Sequence, residues 1–124
     1  MYTALVLDEA NHQKLVRRFA HLIPADWTIY AHHMTINMGP ITKGPVDPAL
    51  LSQEAMLVVV SVAADDKVIA VGVSSDVPSV NSQKHITLAV NRNAGAKPFM
   101  SNKLREWEDL PEQMELYGTI LEVQ

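Results

Sequence analysis

The chain contains no cysteine. That excludes a disulfide framework, thiolate metal ligands and a cysteine nucleophile, and it fits a reducing, cytoplasmic setting. No apolar stretch approaches the roughly 20 residues that a membrane-spanning helix requires. Met1 to Leu7 has neither the basic stretch nor the long apolar run of a signal peptide. Positive charge is scarce too: 10 Lys and Arg face 14 Asp and Glu, for a net charge of −4. A duplex-DNA surface needs many cations against phosphates and is not expected here, whereas a pocket for one small phosphate-bearing substrate is compatible with this balance. There is no His-Glu-x-x-His helix and no cluster of Asp or Glu beside the chain's paired histidine motifs, so a zinc site, which needs three or four converging ligands, is not expected, and neither is any other cofactor.

What remains is an ordinary globular composition of 124 residues, 48% of them apolar, suited to one domain spanning residues 1–124. One pattern in it occurs twice. His33-Met34-Thr35-Ile36 and His85-Ile86-Thr87-Leu88 each read His, apolar, Thr, apolar, inside segments that alternate as strands do. Residues i and i+2 of a strand share a face. Each copy therefore presents an imidazole beside a hydroxyl, with apolar residues behind.

The rest of the chain sets these strands in an α+β frame. Tyr2 to Leu7 is an apolar, β-prone run. Asp8 is a good helix N-cap, and Leu15, Phe19 and Leu22 follow helical spacing in a helix that ends near Pro24. Trp27 to Met38 contains the second strand, stopped by Gly39-Pro40, and Thr42 to Pro48 is a loop. Met56 to Ala63 and Lys67 to Ser74 form a hairpin about Asp65-Asp66. Lys84 to Val90 is the second motif strand. Ser101 caps a short helix to about Glu108, with Leu104 and Trp107 on its buried side. Gln113 to Val123 is a last strand, interrupted at Gly118. His12 and His21 are expected to be solvated on the first helix, and His32 to pack near the core or at a sheet edge.

Two imidazoles and two hydroxyls suit the opening of a phosphodiester without metal. One histidine takes a proton from water and the other gives one to the leaving oxygen, because the ordinary pKa of imidazole lies near neutrality. The hydroxyls of Thr35 and Thr87 then donate to the non-bridging oxygens as charge builds there. Asn37 and Asn91 prolong the two motif faces by alternation and are expected at the rim of the cleft. Tyr2, Phe99 and Tyr117 are the aromatics available to wall a base or ribose. Tyr117 and Thr119, on one face of the last strand, are the preferred choice.

The doubled motif resembles the signature of the two-histidine (2H) phosphoesterases, which include the LigT-like cyclic phosphodiesterases. The order strand, helix, motif strand, hairpin, loop, motif strand agrees with it. The resemblance implies two small antiparallel lobes around a central cleft, one motif on each, with one long and one short helix. It also implies metal-independent hydrolysis of a cyclic nucleotide phosphate or an RNA 2′,3′-cyclic phosphate end. His33 and His85 would be the acid–base pair, Thr35 and Thr87 the phosphate ligands, and Asn37 and Tyr117 further substrate contacts. A non-catalytic module that binds a nucleotide or an RNA end in the same cleft is the rival reading. A structural domain in which the motifs are coincidental is the second rival, and it predicts no shared cleft.

Overall fold

The computed structural model describes residues 1–124. Tyr2–Leu7 forms strand β1. Asp8 ends it and caps helix α1, Glu9–Phe19, its side chain accepting from the backbone N–H of Asn11. Glu9 in the first turn and Arg17 and Arg18 in the last complement the helix dipole. Leu15 and Phe19 are the buried face of α1, as their spacing predicts, but the α-helix stops at Phe19 rather than near Pro24, and Leu22, expected on the same face, is exposed. A 3-10 turn over Ala20–Leu22 comes next. The segment from Trp27, expected to contain one strand, is broken into β2, Thr28–Ile29, and β3, His33–Met38. The break falls at Ala31, which is buried and has φ of 58°, a conformation that interrupts a strand.

The hairpin lies where the sequence places it, as β4, Glu54–Ala64, and β5, Val68–Ser74. Its turn is tied by Asp65, whose carboxylate accepts from the backbone N–H groups of Lys67 and Val68. Strand β6 is His85–Val90. The expected short helix from Ser101 is instead a 3-10 segment, Pro98–Lys103. Trp107 lies beyond it, one residue before the final strand β7, Glu108–Val123. Gly118 does not interrupt β7. A Cβ there would stand 2.7 Å from the carbonyl oxygen of Val6, so the glycine is what lets β1 and β7 approach.

The strands form one continuous antiparallel sheet in the order β2-β6-β3-β1-β7-β4-β5, and β5 pairs back onto β6. Six strands thus close into a barrel, with β2 as an extra strand beside β6, rather than into two separate sheets. Closure leaves the six barrel strands paired on both sides. Leu5, Met34, Ile36, Leu57, Val71, Ile86, Leu88 and Leu116 are fully buried in the main core, with Leu15 and Phe19 from α1. A smaller cluster of Val68, Val90 and Ala96 packs with Tyr30, Met100 and Leu104. No helix is long and apolar enough to cross a membrane.

Candidate active site

Both motif strands carry a β-bulge at the same motif position. Against β1, Thr35 pairs with Ala4 and Asn37 with Thr3, so Ile36 has no partner. Against β5, Thr87 pairs with Ala70 and Ala89 with Ile69, so Leu88 has no partner. An extra residue of this kind reverses the faces of the residues beyond it. His33 and Thr35 keep one face, Met38 joins them, and Asn37 turns to the other side. The expectation that Asn37 lines the cleft is therefore wrong. It is 3% exposed, and its amide donates to the carbonyls of Met38 and Pro40.

Asn37 instead packs against the loop after β3. A Cβ at Gly44 would lie 2.1 Å from Asn37 Oδ1. Gly44→Ala should therefore lower stability by about 1–3 kcal/mol, the usual range for overpacking. Urea unfolding would register this, and an unchanged midpoint would show that the loop moves aside freely.

Strands β3 and β6 run antiparallel and pair at Met34 and Ile86. That pair is the centre of each motif, so the two copies are related by a local two-fold about it. His33 falls on the side of Thr87, and Thr35 on the side of His85. The apolar residues Met34 and Ile86 face the core, with no exposure, and the polar ones face outward. Diagonal neighbours across such a pair lie about 7–8 Å apart, a separation that seats a phosphate between two imidazoles.

All four polar motif residues line one cleft of about 600 Å³. Tyr2, Met38, Val80, Pro98, Phe99 and Asn102 also line it. Met38, Val80 and Phe99 are 73%, 62% and 56% exposed, an apolar rim suited to the faces of a base or ribose. The lining contains no Lys, Arg, Asp or Glu. Its only titratable cations are histidines.

The two histidines sit differently. His33 lies opposite Val6 on β1 and stacks obliquely on Tyr2 at 5.0 Å between ring centroids. Burial first, then the charges of His32 and His85, push its pKa down to about 4. His33 is therefore neutral at neutral pH, with a lone pair to accept a proton. His85 donates from Nδ1 to the carbonyl oxygen of Gln83 at 2.8 Å, which fixes its ring and leaves Nε2 as the nitrogen with no partner in the chain. Trp107 packs beside it, with ring centroids 6.4 Å apart.

The hydroxyls differ as well. Thr35 makes no side-chain hydrogen bond within the chain, while its backbone carbonyl accepts from Ser79 Oγ. Thr87 Oγ1 lies 2.8 Å from Ser101 Oγ and 3.3 Å from the carbonyl oxygen of Pro98.

Other sequence expectations need correction. Tyr117 is exposed on β7, pairs with Met56 and is not part of the cleft. Alternation assigned its face correctly, but that face belongs to the β4–β7 side of the barrel. Asn91 lies just past β6 and donates to the carbonyl of Asp66, again away from the cleft. His12 is not free in solvent. It donates from Nδ1 to the carbonyl of Ala31 and stacks on His32 at 4.4 Å. His32 lines the cleft, because the left-handed turn at Ala31 reorients the residue after it. Burial first, then the His12 charge, lowers the pKa of His32. Tyr2 and Phe99 are the expected aromatics that do reach the cleft. Met38 and Val80, which also line the cleft, had no sequence signal, since the bulge and the loop that bring them in carry no periodicity.

No three His, Asp or Glu side chains converge anywhere in the chain, where zinc needs three or four ligands. No curated protein and no solved structure matches the chain significantly. Residues 12–123, which include both motifs, match the fungal tRNA ligase phosphodiesterase domain. The chain belongs to that family of cyclic phosphodiesterase domains, which supports cyclic phosphate hydrolysis in RNA processing and lies within the two-histidine phosphoesterase superfamily.

Proposed function

We propose that this chain hydrolyses a nucleoside 2′,3′-cyclic phosphate at the end of an RNA without a metal, with His33 as general base and His85 as general acid. The observation that carries this is the pairing of Met34 with Ile86, which brings both His-x-Thr faces to one cleft. His33, held neutral by burial, takes the proton of the attacking water. His85, oriented by Gln83, protonates the departing ribose oxygen. The P–O bond to water forms as the P–O bond to that oxygen breaks. Thr35 and Thr87 donate to the non-bridging oxygens.

The uncharged lining suits this substrate. A cyclic phosphodiester carries one negative charge, which a single protonated histidine balances. The monoester product gains a second charge with no Lys or Arg in the lining to hold it, and this favours its release. The apolar rim of Met38, Val80 and Phe99 receives the nucleoside. Membership of a tRNA ligase domain family supports an RNA end as the natural substrate.

Incubation with the four nucleoside 2′,3′-cyclic phosphates and with an oligonucleotide ending in one tests the reading. A monoester product is expected at equal rates with and without EDTA. Binding without turnover would favour the non-catalytic module instead. Loss of the rate on chelation, restored by zinc or manganese, would replace the two-histidine mechanism with a metal-assisted one.

A further inference from the structure

We infer that Ser101 is a positioning residue for Thr87: its buried hydroxyl donates to Thr87 Oγ1 and so leaves the Thr87 proton for the substrate phosphate. The inference rests on the proposed function, in which Thr87 is a phosphate ligand. A hydroxyl has one donor and two acceptor sites. Thr87 Oγ1 faces two neighbours, Pro98 O at 3.3 Å and Ser101 Oγ at 2.8 Å. Either hydroxyl could donate in the Ser101 contact, but Ser101 Oγ has no other partner, so both protons are placed only when Ser101 donates to Thr87 and Thr87 to the carbonyl of Pro98.

These two contacts are unequal. O–H···O bonds centre near 2.7–2.8 Å and weaken beyond about 3.0 Å. The Ser101 contact is at the optimum, and the Pro98 contact is stretched. An anionic phosphate oxygen is the stronger acceptor. It draws the Thr87 proton from Pro98 by rotation about one bond, while Ser101 continues to donate. In the resulting chain, from Ser101 to Thr87 to phosphate, each bond polarises the next.

Thr35 has no counterpart of Ser101 among its hydrogen bonds. The symmetric motifs therefore give an asymmetric grip. Ser101 is 1% exposed and does not line the cleft, so it acts only through Thr87. It sits in the 3-10 segment Pro98–Lys103, whose Pro98, Phe99 and Asn102 line the cleft. One short segment thus both contacts the nucleoside and sets the donor.

Steady-state hydrolysis of a nucleoside 2′,3′-cyclic phosphate by the whole chain tests this. Ser101→Ala should lower kcat/KM by up to about tenfold, the upper scale of one neutral hydrogen bond, mainly through kcat. In a Thr87→Val background, Ser101→Ala should cause no further loss, because the path it acts through is gone. Ser101→Cys keeps the same side-chain skeleton but ends it in a slightly larger, weakly donating thiol. It should lose activity like the alanine variant while keeping the melting temperature of the unaltered chain. Wild-type kcat/KM for a folded Ser101→Cys, or an equal further loss in the Thr87→Val background, would overturn the inference and leave the proposed function standing. No turnover by the unaltered chain would remove that function, and this inference with it.

Discussion

His33→Ala and His85→Ala should each lower kcat/KM for cyclic phosphate hydrolysis by about 10²–10⁴-fold, the range for loss of a positioned general acid or base. The double variant should be little worse than the poorer single one. In the proposed mechanism the two groups serve one transition state, in which water cannot be deprotonated usefully unless the leaving oxygen is protonated. The geometry makes the pair a unit, since both rings stand over one antiparallel junction at Met34 and Ile86 and line one cleft. Thr35→Val, which removes a hydroxyl with no other duty in the fold, should have a smaller effect, confined to transition-state binding. All of these should be folded, because the four side chains face away from the main core. Multiplicative losses in the double variant would show two independent roles. Near wild-type turnover by either single variant would end the two-histidine mechanism.

The features readable from sequence are those with a short period or a local partner. β1 ends at Leu7 because Asp8 can cap the helix that starts at Glu9, and the cap and its partner Asn11 lie within one turn. The hairpin of β4 and β5 is legible from two β-prone runs about an Asp pair. The doubled motif gives the faces of His33, Thr35, His85 and Thr87 because alternation holds over three residues. It fails at Asn37 because a bulge at Ile36 inserts one residue, and nothing in a single strand's sequence announces where its partner will skip. It fails at Tyr117 for a different reason: the face is right, but its place around the barrel depends on closure through β5 and β6, a contact between distant segments. Pro98–Lys103 is a 3-10 segment rather than an α-helix, with Pro98 at its first turn and Lys97 before it in an extended conformation. Serine is favoured as a helix cap, and that local preference is all the sequence offers for Ser101. Its actual partner, Thr87, is 14 residues away.

Between pH 6.5 and about 4 the folded protein should lose on the order of 3 kcal/mol of stability through His33 alone. The unfolded chain binds a proton at the ordinary imidazole pKa near 6.5, whereas the folded chain resists until about 4. At about 1.4 kcal/mol per pH unit, that interval gives the figure quoted. In the window the unfolded state holds more protons, so stability rises with pH. The contribution is complete above about pH 6.5 and is lost as the pH falls toward 4. His32, also lowered by burial and by His12, acts in the same direction, so the comparison must be with His33→Gln, which keeps the others. Urea midpoints at intervals from pH 7.5 to 4 should fall more steeply for the unaltered chain than for this variant.

The same displacement reshapes the rate profile. A two-histidine bell drawn from ordinary pKa values would lose its acid limb near 6.5, but with His33 neutral down to about 4 the limb in kcat/KM, which reports the free enzyme, should lie near that value. Bound phosphate places an anion beside His33 and favours its protonated form. The acid limb of kcat, which reports the complex, should therefore stand at higher pH than that of kcat/KM. Coincident limbs near 6.5, or an NMR titration of His33 centred there, would show that burial does not hold this imidazole neutral and would reopen which histidine is the base.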